Sequence, residues 1–254
     1  MYPTLQLGSF QIPCGWLMFL PAFFVGVWTA GRRARYENIL QKQITSFMVW
    51  LILFAMVGAH VATVIANWPC SSLMLFGGLS FYGGLAGACL GGFIYIRIRG
   101  LPLWKVADVF APSIALGDVF CRVGCLLSGC CYGTACNLPW AIRFPATHYT
   151  GGIPVHPTQM YDAFLNFLIY VGLTWLSRRK RFDGQIFTTY LTSYASCRIF
   201  LEYLRGDHLA DPDHFGLKLG QIISLVVLVV GIVLALILSR PKLSLNKEQV
   251  HLHS

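Results

Sequence analysis

Seven stretches of mostly apolar residues divide this chain, at roughly 13–31, 45–66, 80–98, 107–127, 160–177, 185–204 and 217–239. Each approaches the length of about 20 residues that an α-helix needs to cross the hydrocarbon core of a bilayer. Composition agrees: 56% of the 254 residues are hydrophobic and 11% are charged, whereas a soluble domain is about one quarter charged. The expected fold class is all-α, a polytopic membrane protein built as a seven-transmembrane-helix bundle. No internal repeat, low-complexity tract or soluble-domain linker interrupts it, so residues 1–254 read as a single integral membrane domain. No charged leader precedes the first apolar run, so that run is expected to be retained.

The basic residues predict an orientation, because Lys and Arg concentrate on the cytoplasmic side. Arg32, Arg33, Arg35 and Lys42 fall in one loop region, Arg97, Arg99 and Lys105 in the next but one, then Arg178, Arg179, Lys180 and Arg181, then Arg240, Lys242 and Lys247. With seven spans these all lie on one side. The N-terminus is therefore expected outside and the C-terminus inside, with an outer loop at 128–158 and a flexible cytoplasmic tail at 240–254. The net charge of +9 is mostly this topology signal and suits membrane lipid headgroups. Basic residues scattered through short loops give no soluble face for a nucleic-acid partner.

Cations outside this pattern point to chemistry. Arg122 and Arg198 lie at or within apolar runs, where a charge is costly and normally faces a cavity or a partner. Glu202 follows Arg198 by one helical turn and Arg205 follows Glu202 by three residues, which makes a charged stripe on one helix face. An internal salt bridge is one reading. Three arginines exceed one glutamate, however, and the surplus suits an anionic ligand, most simply a phospholipid headgroup. A glycine-rich stretch opens the third run. Gly87, Gly91 and Gly92 suit close helix packing, while Gly77, Gly78, Gly83 and Gly84 are expected to let backbone approach a ligand. Tyr82 between those pairs is a candidate phosphate donor or an interfacial anchor.

Six ordered elements carry a resemblance. Gly77-Gly-Leu-Ser-Phe-Tyr-Gly-Gly84 resembles GG-x-SFHGG, and Arg122-Val-Gly-Cys-Leu-Leu-Ser-Gly-Cys-Cys-Tyr-Gly133 resembles R-x-G-N-x-x-N-G-E-x-x-G. Leu138-Pro-Trp-Ala-Ile-Arg-Phe-Pro145 and His156-Pro-Thr-Gln-Met-Tyr-Asp162 resemble LPWAVxFP and HPxQLYE. Arg198-Ile-Phe-Leu-Glu-Tyr-Leu-Arg205 and Leu219-Gly-Gln-Ile-Ile-Ser224 resemble RFxxEFxR and MGQxLS. Together they are similar to the prolipoprotein diacylglyceryl transferase family over nearly the whole chain.

The resemblance implies a multi-pass enzyme of the bacterial inner membrane. It would move the diacylglyceryl group of phosphatidylglycerol onto the lipobox cysteine of a prolipoprotein, release glycerol-1-phosphate and need no cofactor. It assigns catalytic positions to Arg122, Arg198, Glu202 and Tyr82. It assigns headgroup positions to Arg122, Arg205, Gly83, Gly84, Gly133 and His156, and no metal. Departures from the pattern are also plain: Tyr82 stands for a histidine, Cys125 and Ser128 for asparagines, Cys130 for a glutamate, and Gly15 for a tyrosine.

Cys121, Cys125, Cys130, Cys131 and Cys136 cluster at the start of the outer loop, in a compartment that permits disulfides. A bridge such as Cys125–Cys130 or Cys131–Cys136 is expected to brace the loop. Packing as small apolar groups, a zinc site and a redox thiol are the alternatives; the spacings depart from the usual paired C-x2-C. His156, before Pro157 and Thr158, reads either as part of a helix start, with Thr158 capping, or as a headgroup contact. Two other functions stay open: a membrane thiol–disulfide oxidoreductase using the outer cysteines, and an inactive phospholipid-binding relic.

Overall fold

A computed structural model describes residues 4–7, 10–66, 80–207 and 217–240, without the side chains of 4–16 and Phe81. Gly77, Gly78 and all but the first residue of the tail at 240–254 lie outside the described residues. Among the described residues seven helices follow one another: α1 (Cys14–Tyr36), α2 (Gln41–Ala66), α3 (Phe81–Arg99), α4 (Leu103–Ser128), α5 (Thr158–Ser177), α6 (Gln185–Leu204) and α7 (Leu219–Leu238). Each matches one apolar run, so the protein is an all-α polytopic membrane protein. α2, α4 and α7 are by themselves long and apolar enough to cross a membrane, with mean hydropathies of 2.2, 1.5 and 3.1. A short hairpin of β1 (Thr4–Leu7) and β2 (Phe10–Pro13) precedes the helices; the sequence reading did not foresee it.

The helix ends follow local chemistry. The Ser80 hydroxyl accepts the Gly83 N–H at the start of α3, and Gly100 (φ 61) and Gly129 (φ 78) end α3 and α4 in the left-handed region that glycine adopts without strain. α4 is the centre, packing on α1, α5 and α6, while α2 pairs with α3 and α6 with α7. One core cluster joins Ala30, Ile44, Phe47, Tyr95 and Val109 across α1–α4; another joins Ala115, Leu173, Ile186 and Tyr190 across α4–α6. Outward faces stay apolar, as lipid requires: Leu53, Val57, Val229, Val233 and Leu236 are all exposed. Polar side chains bond between helices instead, with Thr29 Oγ1 2.9 Å from Ser113 Oγ and Arg33 donating to Thr174 at 2.9 Å.

The glycines of α3 face α2. A Cβ on Gly87 would strike the Phe54 carbonyl and Gly58, and one on Gly91 the Phe54 ring. Gly83 is packed against Ala62 and Gly58, and Gly84 faces Ala55 and Ala59. The close backbone approach expected at Gly83 and Gly84 is thus to a neighbouring helix.

Between α4 and α5 the loop 129–157 carries β3 (Ile142–Arg143) paired antiparallel with β4 (Pro154–Val155). Tyr132–Thr134 lies between His156 and the end of α6. Gly133 N–H donates to the His156 carbonyl (3.0 Å), Thr134 N–H to Leu204 (2.9 Å) and Gly206 N–H to Tyr132 (3.0 Å). This stitching brings the residues after α4 alongside the last turn of α6.

Candidate active site

Three helices converge at that seam, each contributing charge from an apolar stretch. Arg122, near the end of α4, approaches Asp162 of α5 at 2.9 Å and Asp118, one turn earlier, at 3.5 Å. Both contacts run through Nε, and Nη1 and Nη2 of Arg122 make no hydrogen bond to a described residue. Asn166, one turn after Asp162, donates to Asp118 at 2.8 Å and to Asp162 at 2.9 Å. From α6, Arg198 reaches Asp162 at 3.6 Å and Glu202 at 3.2 Å. Glu202 is only 2% exposed; its second arginine is Arg205, at 3.8 Å. A Cβ on Gly220 would lie 2.9 Å from the Glu202 carboxylate, so the first turn of α7 closes over it.

Arg205 makes a two-pronged contact with Asp207, Nε to Oδ1 at 3.0 Å and Nη2 to Oδ2 at 2.8 Å. Burial works against its charge, but Asp207, with Cys131 and Glu202, holds Arg205 above the usual arginine range. Arg122, Cys131, Thr158, Gln159, Asp162, Arg198, Leu201 and Arg205 line a cleft of about 10 Å³, room for about one water.

The structure joins Arg122, Arg198, Glu202 and Arg205 as the sequence suggested, but it corrects the charge argument. Asp118, Asp162 and Asp207 join Glu202, so four carboxylates face three guanidiniums. Among the described residues, the surplus positive charge expected from setting Arg122, Arg198 and Arg205 against Glu202 alone does not exist.

The other expected residues lie around this cleft or away from it. Gly133 is a seam residue: a Cβ there would meet His156 and, at 2.8 Å, the Leu204 carbonyl. His156 is half-buried; its Nδ1 lies 3.4 Å from the Tyr161 hydroxyl, which accepts from Trp140 at 2.7 Å. Pro157, not Thr158, is the residue before the first turn of α5. The Thr158 hydroxyl instead donates to the Cys131 carbonyl at 2.6 Å, and the Gln159 amide to Cys130 at 2.7 Å. Tyr82 is 64% exposed on α3 and is not part of the cleft lining.

The expected disulfides are absent: Cys121, Cys125, Cys130, Cys131 and Cys136 are all free thiols. The loop is braced by Thr158, Gln159 and His148. The His148 ring stacks on Phe144 at 4.5 Å and its Nε2 lies 2.8 Å from the Gly129 carbonyl. The Cys131 thiol is drawn below the ordinary thiol range. The neighbouring Cys125 and Cys130 thiols contribute most, burial opposes, and Arg205 and Arg122 assist.

A second space reaches the same network from the side. A cavity of about 740 Å³ runs between α1, α2, α3 and α4, lined mainly by apolar residues such as Phe19, Phe23, Leu51, Leu85, Phe93 and Phe110. That volume is within the range of about 300–1,000 Å³ usual for ligand sites. Asp118 and Cys121 also line it. Asp118 therefore belongs both to the apolar cavity and to the arginine network.

Sequence reasoning missed Asp118 and Asn166, and quoted Asp162 without a role. Their signal was available: a carboxylate four residues from a polar partner, inside an apolar run, at 118/122 and at 162/166.

Comparison with known proteins places this geometry. A sequence profile described as prolipoprotein diacylglyceryl transferase matches residues 3–237. A phosphatidylglycerol–prolipoprotein diacylglyceryl transferase of Finegoldia magna is 35% identical, over 83% of this chain and 84% of its own. Proteins of the same name from Thermosynechococcus vestitus and Clostridioides difficile are 30% and 31% identical, over 90% and 91% of this chain and 89% and 93% of theirs. With its ordered motifs, its seven helices and a profile match over nearly its full length, the chain belongs to the prolipoprotein diacylglyceryl transferase family.

Proposed function

We propose that this protein transfers the diacylglyceryl group of phosphatidylglycerol to the lipobox cysteine of prolipoproteins, forming a thioether and releasing glycerol-1-phosphate. The observation that carries the reading is Asp118, the polar end of an apolar cavity and a partner of Arg122. A diacyl lipid has the same two-part character. Its chains occupy the cavity between α1 and α4, and its phosphodiester lies against Arg122 and Arg198.

The cleft is nearly filled by its own ion pairs, so the phosphate must take the place of carboxylate partners on the arginines. Guanidinium forks bind phosphate as well as carboxylate, and Arg122 still has Nη1 and Nη2 to offer. As the C–O bond breaks, negative charge builds on the leaving phosphate, and arginines fixed in advance stabilise it. Glu202 holds Arg198 and Arg205 in place, and Gly133 keeps Arg205 at the seam. The single domain sits in the bacterial inner membrane with the N-terminus outside, the basic loops cytoplasmic and the cleft on the outer side, where prolipoproteins emerge.

The test uses phosphatidylglycerol labelled in its headgroup glycerol. Labelled glycerol phosphate should appear only when a lipobox peptide with a free thiol is present. Release with a peptide carrying serine at that position, or no release with either, would defeat the reading.

A further inference from the structure

Cys125 and Cys130 stand where the family resemblance expects asparagine and glutamate, and the transfer chemistry above uses neither. With Cys131, their Sγ atoms all lie within 4.8 Å of one another. Cys125 is in the last turn of α4; Gly129 (φ 78) and Cys131 (φ 60) then turn the chain back onto it. A positive φ is uncommon at a non-glycine residue, and here it is locked. The Cys131 and Cys130 carbonyls accept from Thr158 and Gln159, both buried.

Zinc–thiolate bonds of about 2.3 Å in tetrahedral geometry set sulfur atoms about 3.8 Å apart. The three thiols, within 4.8 Å of one another, stand at most about 1 Å beyond that spacing. Three thiolates around a zinc(II) ion carry one net negative charge, which the Arg122 and Arg205 guanidiniums, sharing the cleft with Cys131, can offset. Cys130 is exposed, so one side of the cluster is open to a further ligand. A disulfide would use two of these sulfurs and leave the third without a purpose.

We propose that Cys125, Cys130 and Cys131 bind a zinc(II) ion whose open fourth position takes the acceptor cysteine thiol. The zinc site stands on the cluster geometry, and the role of its fourth position rests on the transfer reading above. Catalytic zinc sites pair three protein ligands with one open position, and a thiol that coordinates a metal is deprotonated outright. The acceptor S–H proton passes to water. The bound thiolate then attacks the glyceryl carbon bearing the phosphate ester, the C–S bond forms, and the C–O electron pair leaves with glycerol-1-phosphate. Thiol activation thus falls to a group beside the arginines, whereas Tyr82 lies on α3 outside the cleft lining.

The test begins with full-length protein in detergent, reduced, stripped with a chelator, dialysed against zinc and assayed for metal. One zinc per chain is expected. Cys125→Ser, Cys130→Ser and Cys131→Ser should each weaken binding by about 100-fold or more, at least the cost of losing an outer-shell partner. Cys136→Ser and Cys197→Ser should retain it. Cadmium added to the stripped wild type should give a thiolate-to-metal charge-transfer band, a readout that needs no variant to fold. Transfer to a lipobox peptide should fall about 100-fold on stripping, in the range that proton-transfer catalysis supplies, and return with zinc. No stoichiometric metal, binding indifferent to Cys131→Ser, a disulfide among the three thiols in active protein, or full-rate transfer by stripped protein would each overturn the proposal. Zinc held by the three cysteines without transfer in any preparation would support the metal site while overturning the transfer reading and the acceptor role that rests on it.

Discussion

Asp162 is the hub of the charged cluster. Its carboxylate lies within ion-pair range of Arg122 and Arg198 and accepts from Asn166, and its side chain is only 6% exposed. Removing one partner of a buried pair leaves uncompensated charge, which costs about 3–5 kcal/mol. Asp162→Ala should therefore destabilise the protein by about 3 kcal/mol, seen as a lower unfolding temperature in detergent; an unchanged temperature would deny Asp162 this role. The residue scale is also where the sequence was least legible. Arg122, Arg198, Glu202 and Arg205 stood out as charges in apolar runs. Their partners did not, because Asp162 pairs across helices and the sequence argument set all three arginines against Glu202 alone.

Elements position these residues. Gly133 lets the 129–157 loop lie against the last turn of α6, with a Leu204 carbonyl and a His156 side chain where a Cβ would stand. Gly133→Ala should force the seam apart, shift Arg205 and reduce transfer by about 100-fold, the cost of misplacing a reacting group by about 1 Å. Overall helix content by circular dichroism should stay unchanged, and wild-type transfer by this variant would contradict the account.

At the opposite end of the bundle, Asp108 of α4 accepts the N–H groups of Gly184 and Phe187 at the start of α6. Lys180 binds Glu37, Asp108 and Asp183 at 2.6, 3.1 and 3.0 Å. Burial alone would lower the Lys180 pKa, but Glu37, Asp183 and Asp108 raise it to about 12 from the ordinary 10.5. A folded value above the unfolded one means stability that is whole below pH 10.5 and lost as pH rises through about 12. Thermal unfolding followed from pH 9 to about 12 should show this loss, and Lys180→Met should remove that step. A wild-type curve with no step assignable to Lys180 would contradict it. The helices were legible because runs of about 20 apolar residues have one solution in lipid. The thiol cluster was not, because two left-handed residues fold C-x4-C-C into a triangle that linear spacing conceals.

The whole molecule combines an apolar space between helices with a charged seam at one end, joined at Asp118. This is the arrangement that a phospholipid with a scissile headgroup requires, and it extends over a chain that is family-like from residue 3 to residue 237. The most direct measurement is mass spectrometry of a lipobox peptide incubated with purified protein and phosphatidylglycerol, with Arg122→Ala and Arg198→Ala in parallel. The account predicts a diacylglyceryl mass gain on the peptide cysteine, reduced about 100-fold or more by either substitution, as for loss of a group that stabilises transition-state charge. An unmodified peptide with the wild type, or equal modification by the arginine variants, would contradict it.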